Sequence, residues 1–161
     1  MSLVITAEGK IEDNEISTLL RAVYVDAGFT AADVAETLFA PASVRARGTL
    51  FTARDPETRT LLGMAVLVPP GGAARQIAND SEAEVHLLAV YPEARRKGVG
   101  SALVDALITR ARSCGWQNIV LSTQERMHAA QTLYKHKGFI WLADRDWWRS
   151  GKRFLVFGMS L

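Results

Sequence analysis

The chain has 161 residues, 48% of them hydrophobic and 22% charged, which suits one folded domain spanning residues 1–161 and excludes a disordered chain. Its 19 basic and 17 acidic residues leave a net charge of +2 and a pI of about 8.9, too weak an excess to indicate nucleic acid, whose binders gather Lys and Arg on one face. One cysteine, Cys114, and three scattered histidines allow neither an intramolecular disulfide nor a zinc cluster, so no metal is expected and a reducing compartment fits best.

Met1 to Glu8 has no basic region followed by a long apolar one, so no signal peptide is expected. No apolar run approaches the roughly 20 residues of a membrane helix, and the expectation is a cytoplasmic protein without a membrane partner. Leu3-Val4-Ile5 suits a short first strand. Ile16, Leu19, Leu20 and Val23 recur at i, i+3, i+4, i+7, the stripe of an amphipathic helix. A weaker helix is predicted from about Ala31 to Phe39, ended by Pro41. Thr49 to Ala53 and Thr60 to Val68 read as strands of a hairpin around Asp55-Pro56-Glu57, with Gly63 marking a bulge.

Pro69-Pro70-Gly71-Gly72 stops the second strand, and Ala73 to Ser81 is polar loop. Glu84 to Val90 returns to strand, closed by Pro92. A basic, glycine-containing loop follows, Arg95 to Gly100, and a helix is predicted from Ser101 with Val104, Leu107, Ile108 and Ala111 as its buried stripe and Gly115 just past its end. Ile119-Val120-Leu121 is a short buried strand. Met127, Ala130, Leu133 and Tyr134 share a helical face, and Gly138 ends that helix. Strands around Phe139 to Leu142 and Phe154 to Met159 flank a Trp-rich turn. An antiparallel front half followed by strand–loop–helix–strand–helix predicts an α+β fold with a central mixed, mostly antiparallel sheet.

The unit strand 84–90, loop 91–100 and following helix carries the chemistry. A helix N-terminus presents unbonded N–H groups and partial positive charge. Gly98 and Gly100 let a phosphate approach the backbone, and Arg95, Arg96 and Lys97 add full charge beside it. A Walker A loop is excluded because Ser101-Ala102 follow Gly100 where Lys-Ser/Thr is required. A dinucleotide fingerprint is excluded because Leu103 occupies its third small position and no acidic residue follows about 20 positions on.

Arg95-x-x-Gly98-x-Gly100 resembles the acetyl-CoA signature of the GNAT superfamily of N-acetyltransferases. Glu84 to Pro92 is similar to the superfamily strand before that loop, and Leu133-Tyr134-x-x-x-Gly138-Phe139 to its downstream helix and strand. The resemblance is specific from about Glu84 to Phe139. It implies a three-layer fold with helices on both faces of the sheet and transfer of acetyl from acetyl-CoA to an amine by direct attack in a ternary complex. It also implies cofactor contacts from the backbone of Leu88, Ala89 and Val90 to the pantetheine arm, and from Arg95, Arg96, Lys97, Gly98, Val99, Gly100 and Ser101 to the pyrophosphate. Many members carry Asn seven residues before the tyrosine, where this chain has Met127. Similar proteins are frequently homodimers, so a homodimer is one expected assembly. The acceptor would be a small-molecule or peptide amine. A non-catalytic acyl-CoA-binding module is the alternative function.

Amine acetylation calls for a base, because the nucleophile is largely protonated at neutral pH, and for an acid at the leaving thiolate. Glu84 is the first candidate base and Glu82 the second. Period-two geometry puts Glu84, His86 and Leu88 on one face, and burial is expected to raise the Glu84 pKa. Solvated strand-end carboxylates are the plain alternative. His86 reads as a half-buried structural histidine, a proton relay or part of the acceptor-pocket lining. The resemblance assigns Tyr134 as the general acid; otherwise it is a core aromatic. His128 and His136 read as surface residues and Cys114 as a small packing residue. Trp141, Trp147 and Trp148 suit an acceptor-site wall, a dimer surface or a packed hairpin.

Overall fold

Residues 2–161 are described by the computed structural model; Met1, the first residue of the stretch read for a leader, lies outside them. In chain order the elements are β1 (Val4–Ala7), α1 (Asp13–Leu20), α2 (Ala32–Leu38), α3 (Pro41–Ala46), β2 (Thr49–Arg54), β3 (Leu61–Val68), β4 (Glu82–Val90), α4 (Val99–Ser113), β5 (Asn118–Gln124), α5 (His128–His136), β6 (Ile140–Trp141), β7 (Trp147–Arg149) and β8 (Lys152–Ser160). No helix among the described residues is long and apolar enough to cross a membrane.

The strands form one sheet ordered β1-β2-β3-β4-β5-β8-β6, with β7 also on β8. Every pairing is antiparallel except β4 with β5. Alternation along the central strands explains the layers. Met64, Val66 and Val68 of β3 enter a cluster with Ile16, Leu19 and Leu20 of α1, while Ala65 and Leu67 enter the opposite cluster with Leu103, Val104 and Leu107 of α4. Both faces are therefore covered, which is the expected three-layer α+β arrangement with a mixed, mostly antiparallel sheet.

The α1 stripe is buried as its spacing predicts, but the helix widens after Leu20 into a single π turn, Arg21–Val25. Pro41 does not simply end the second helix. That helix ends at Leu38, and Pro41 opens α3 at its first position, where a missing N–H costs nothing. The extra residue in β3 is Leu62, beside Gly63: Ala53 pairs with Gly63 and Arg54 with Leu61. The Trp-rich turn contains a strand of its own, β7, tightly joined to β8 through Ser150 and Gly151. Both have positive φ, 50° and 75°, as primed hairpin turns require. Cys114 is exposed at the end of α4 and is not a packing residue.

A second irregularity positions the site. Met64 pairs with Ala89 but Val66 with His86, so β4 holds one residue more than β3 across this step. Leu87 absorbs it with φ of 53°. Pairing of β4 with β5 covers only Glu82–Val85 against Asn118–Leu121. Beyond it β4 stays with β3 and β5 continues with β8 to Gln124, so the two parallel strands part.

Candidate active site

The parting of β4 and β5 opens a cleft of about 420 Å³ whose walls include Tyr24, Arg47, His86, Leu88, Gln124 and Tyr134. Successive residues of a strand turn their backbone groups to opposite edges. Tyr91 N–H bonds to Leu62 on the β3 side, so Leu88 and Val90 address the vacant edge and Ala89 addresses β3. The Leu88 carbonyl accepts a 3.0 Å hydrogen bond from the Tyr24 hydroxyl. Tyr24 sits on the π turn, and burial holds its hydroxyl well above the usual tyrosine range, against the opposing influence of the Arg47 charge.

At the end of β4, Pro92–Ala94 forms a 3-10 turn, and Arg96 and Gly98 take positive φ of 63° and 79°. Gly98 is the N-cap of α4, which begins at Val99, two residues earlier than the spacing predicts. The first intrahelical bond is Ala102 N–H to the Gly98 carbonyl, 2.9 Å. This leaves the N–H groups of Val99, Gly100 and Ser101 free at the helix start, with exposed Arg95, Arg96 and Lys97 beside them. Gly98 is needed for its left-handed backbone. Gly100 is needed for contact, because a Cβ there would lie 3.1 Å from Leu133 of α5. Left-handed glycine, adjacent cations and unbonded N–H groups at a helix start are together the arrangement that suits an anion.

The carboxylates differ from expectation in their surroundings. Glu84 is 2% exposed. It accepts hydrogen bonds from the N–H groups of Gln76 (3.0 Å), Ile77 (2.9 Å) and Ala78 (2.7 Å), and from His86 Nε2. Burial pushes its pKa up, but His86 and the Ile77 and Ala78 amides outweigh burial and hold it below the usual carboxylate value, the reverse of the expected rise. Glu82 is forked by Arg145 at 2.9 and 3.0 Å, and that guanidinium, against burial, lowers its pKa. Neither carboxylate lines the cleft, whereas His86 does.

His86 Nδ1 lies 3.3 Å from Arg47 Nη1. A guanidinium only donates, so Nδ1 accepts and Nε2 carries the proton shared with Glu84. Glu84 and His86 do share a face, but Leu88 does not. The bulge at Leu87 reverses the alternation, and Leu88 packs with the α4 cluster while Leu87 packs with the α1 cluster.

Tyr134 is 6% exposed and lines the cleft. Its ring packs on Phe139 and Phe157, with centroids 5.8 and 6.4 Å away. Burial, with Tyr24 adding to it, raises its hydroxyl far above the usual tyrosine range, so it stays protonated. Met127 lines the same cleft as the N-cap of α5, and its sulfur accepts from Thr123 Oγ1 at 3.3 Å. The tryptophans separate: Trp147 stacks on Phe154 at 4.5 Å and enters the cleft, while Trp141 and Trp148 are exposed. His128 and His136 are on the surface. Tyr24, Arg47 and Gln124 had no sequence signal, because no spacing ties them to β4.

A family model described as the Acetyltransferase (GNAT) family matches residues 14–139. A mycothiol acetyltransferase of Geodermatophilus obscurus is 32% identical over 84 residues, 52% of this chain and 26% of that protein, so the chain spans about a quarter of that relative. Among solved structures, a Bacillus subtilis acetyltransferase in complex with CoA is 21% identical with a TM-score of 0.71, covering 99% of both chains. The ribosomal-protein-S18-alanine N-acetyltransferase of Escherichia coli is 18% identical with a TM-score of 0.70, covering 99% of this chain and 94% of its own.

Proposed function

The chain belongs to the GNAT acetyltransferase family and is an acyltransferase, and from that premise we propose that it moves the acetyl group of acetyl-CoA to the amine of an acceptor by direct attack in a ternary complex. One observation carries the reading: a single strand, β4, lines the cleft that holds Tyr134 and runs on into the anion-receiving loop. The CoA complex of the Bacillus subtilis structure supports the choice of acyl donor. The lone, exposed thiol of Cys114 fits a cytoplasmic setting.

The residues present fit the cosubstrate. The free N–H groups of Val99, Gly100 and Ser101, the left-handed Gly98, and Arg95, Arg96 and Lys97 would hold its pyrophosphate. Leu88 and Val90, with Ala89 between them, would meet its amide-bearing arm as a further strand. Bound acetyl-CoA supplies an acetyl thioester. The acceptor nitrogen forms the new N–C bond, the C–S bond breaks, and the sulfur keeps its electron pair.

Since neither Glu82 nor Glu84 faces the cleft, we assign removal of the amine proton to His86 at Nδ1. Glu84, accepting from Nε2, positions the ring and stabilises its cationic form. Tyr134 donates a hydrogen bond to the departing thiolate. So weak an acid stabilises the sulfur without giving up its proton early, and solvent completes the thiol.

The test is release of free CoA thiol across a panel of amines. Turnover of at least one amine is expected. Tight acetyl-CoA binding with no turnover of any would instead establish the non-catalytic acyl-CoA-binding module.

A further inference from the structure

The side chains of the cleft that can carry charge near neutral pH are one-sided. Arg47, His86, Arg149 and Lys152 line it, and no aspartate or glutamate does. None of the three permanent cations is paired with a carboxylate among the described residues. Arg47 is half-buried and donates only to the Leu38 carbonyl (2.9 Å) and to His86. Arg149 lies over the Trp147 ring at 5.2 Å, and Lys152 donates to the Phe29 carbonyl. Burial, with the Arg149 charge adding to it and Tyr24 and the Glu84 carboxylate opposing it, holds the Arg47 guanidinium below the usual arginine range. A bound carboxylate would relieve both. The cosubstrate's phosphates do not account for these cations, because the basic loop from Arg95 to Lys97 lines no part of the cleft.

Two further groups are unmatched. Gln124, 7% exposed, donates from Nε2 to the Phe29 carbonyl at 2.9 Å, which fixes its amide orientation because that carbonyl can only accept. Its Oε1 is buried without a partner, and so is Trp147 Nε1. Both residues line the cleft. One lone acceptor and several unspent donors match a molecule with an N–H group at one end and an anion at the other.

We propose that the acceptor is a small amino acid-like molecule, an amine that carries its own carboxylate, with Arg47 receiving the carboxylate and Gln124 Oε1 the amine N–H. This deepens the acetyltransferase reading and rests on it for the acetyl step. Polycationic acceptors such as polyamines are disfavoured, because the permanently charged side chains that line the cleft are all cations. Carboxylate binding also draws the Arg47 guanidinium away from His86 Nδ1, freeing the nitrogen that takes the amine proton. Arg47 is thus a specificity-determining and positioning residue.

The experiment compares the common L-amino acids and β-alanine with their carboxamides, and with spermidine, as acceptors and as ligands of the CoA-bound protein by calorimetry. At least one amino acid should be acetylated with kcat/KM roughly 10²-fold or more above its carboxamide, since a site built to bond a group rejects an analogue lacking it. Arg47→Gln should raise KM for the amino acid and shrink that ratio, with KM for acetyl-CoA unchanged. Arg149→Gln, at an exposed position that the fold does not need, should do so more weakly. A carboxamide or spermidine used as well as the amino acid overturns the inference, as does an absence of both binding and turnover for every amino acid. Amino-acid binding with no acetylation leaves the acceptor site standing and overturns the enzymatic reading instead.

Discussion

The Tyr24 hydroxyl donates a 3.0 Å hydrogen bond to the Leu88 carbonyl across 64 residues of chain, tying the π turn to the residue that follows the β4 bulge. The bond occupies one of the few backbone groups that β4 turns toward its vacant edge. Tyr24→Phe leaves that carbonyl unpaired in a half-buried place, and stability should fall by about 1–3 kcal/mol. Urea unfolding measures the loss. No change would mean that water replaces the hydroxyl and that Tyr24 does not fasten the cleft.

Acetyl-CoA should raise Tm, because a ligand that binds only the folded protein adds about 2.7 kcal/mol at a hundred times its Kd. Arg95→Glu tests the loop more cleanly than a substitution at Gly100, where a side chain would also strike Leu133. Arg95 is exposed with an ordinary extended backbone, so the unliganded variant should stay within about 0.5 kcal/mol of the parent. Its acetyl-CoA affinity, read by calorimetry, should drop at least about tenfold through charge reversal beside the pyrophosphate. Unchanged affinity would move the phosphate site elsewhere.

Tyr134→Phe keeps the packing on Phe139 and Phe157 and removes one hydroxyl. Turnover should fall about 10²–10³-fold, the usual span for losing one hydrogen-bond donor to developing negative charge, with KM for acetyl-CoA and Tm nearly unchanged. A variant that loses only thermal stability would reduce Tyr134 to a core aromatic.

Glu84 and Glu82 have folded pKa values below the ordinary 4.5. Their contribution to stability is therefore complete above that value and is lost as pH falls through the lower folded values. Glu84→Gln cannot accept from Gln76, Ile77, Ala78 and His86 together, and should cost about 1–3 kcal/mol at neutral pH. It should also flatten the fall in stability below pH 4.5. In kinetics, His86→Gln should lower kcat at neutral pH with KM for acetyl-CoA unchanged, while Glu82→Gln should leave kcat nearly unchanged. Full turnover in His86→Gln would assign proton removal to water or to the acceptor's own ionisation.

Local chemistry determined much of this protein. The i, i+3, i+4, i+7 stripe of α1, the Gly115 and Gly138 helix ends and the Pro69-Pro70-Gly71-Gly72 stop are written in neighbouring residues, because helix periodicity and turn geometry depend on contacts a few positions apart. The basic, glycine-containing loop was legible for the same reason: its glycines, cations and helix start are contiguous. The cleft was not. Alternation places Glu84, His86 and Leu88 on one face, and only the register of β4 against β3 shows that Leu87 breaks it. Glu84 was legible as a carboxylate, but its fate depends on the loop at Gln76 to Ala78 folding back over it. Arg47, Tyr24 and Gln124 reach the site from elements 39, 64 and 95 residues from their partners. Such distances leave no periodic trace in a sequence, since only packing brings the side chains together.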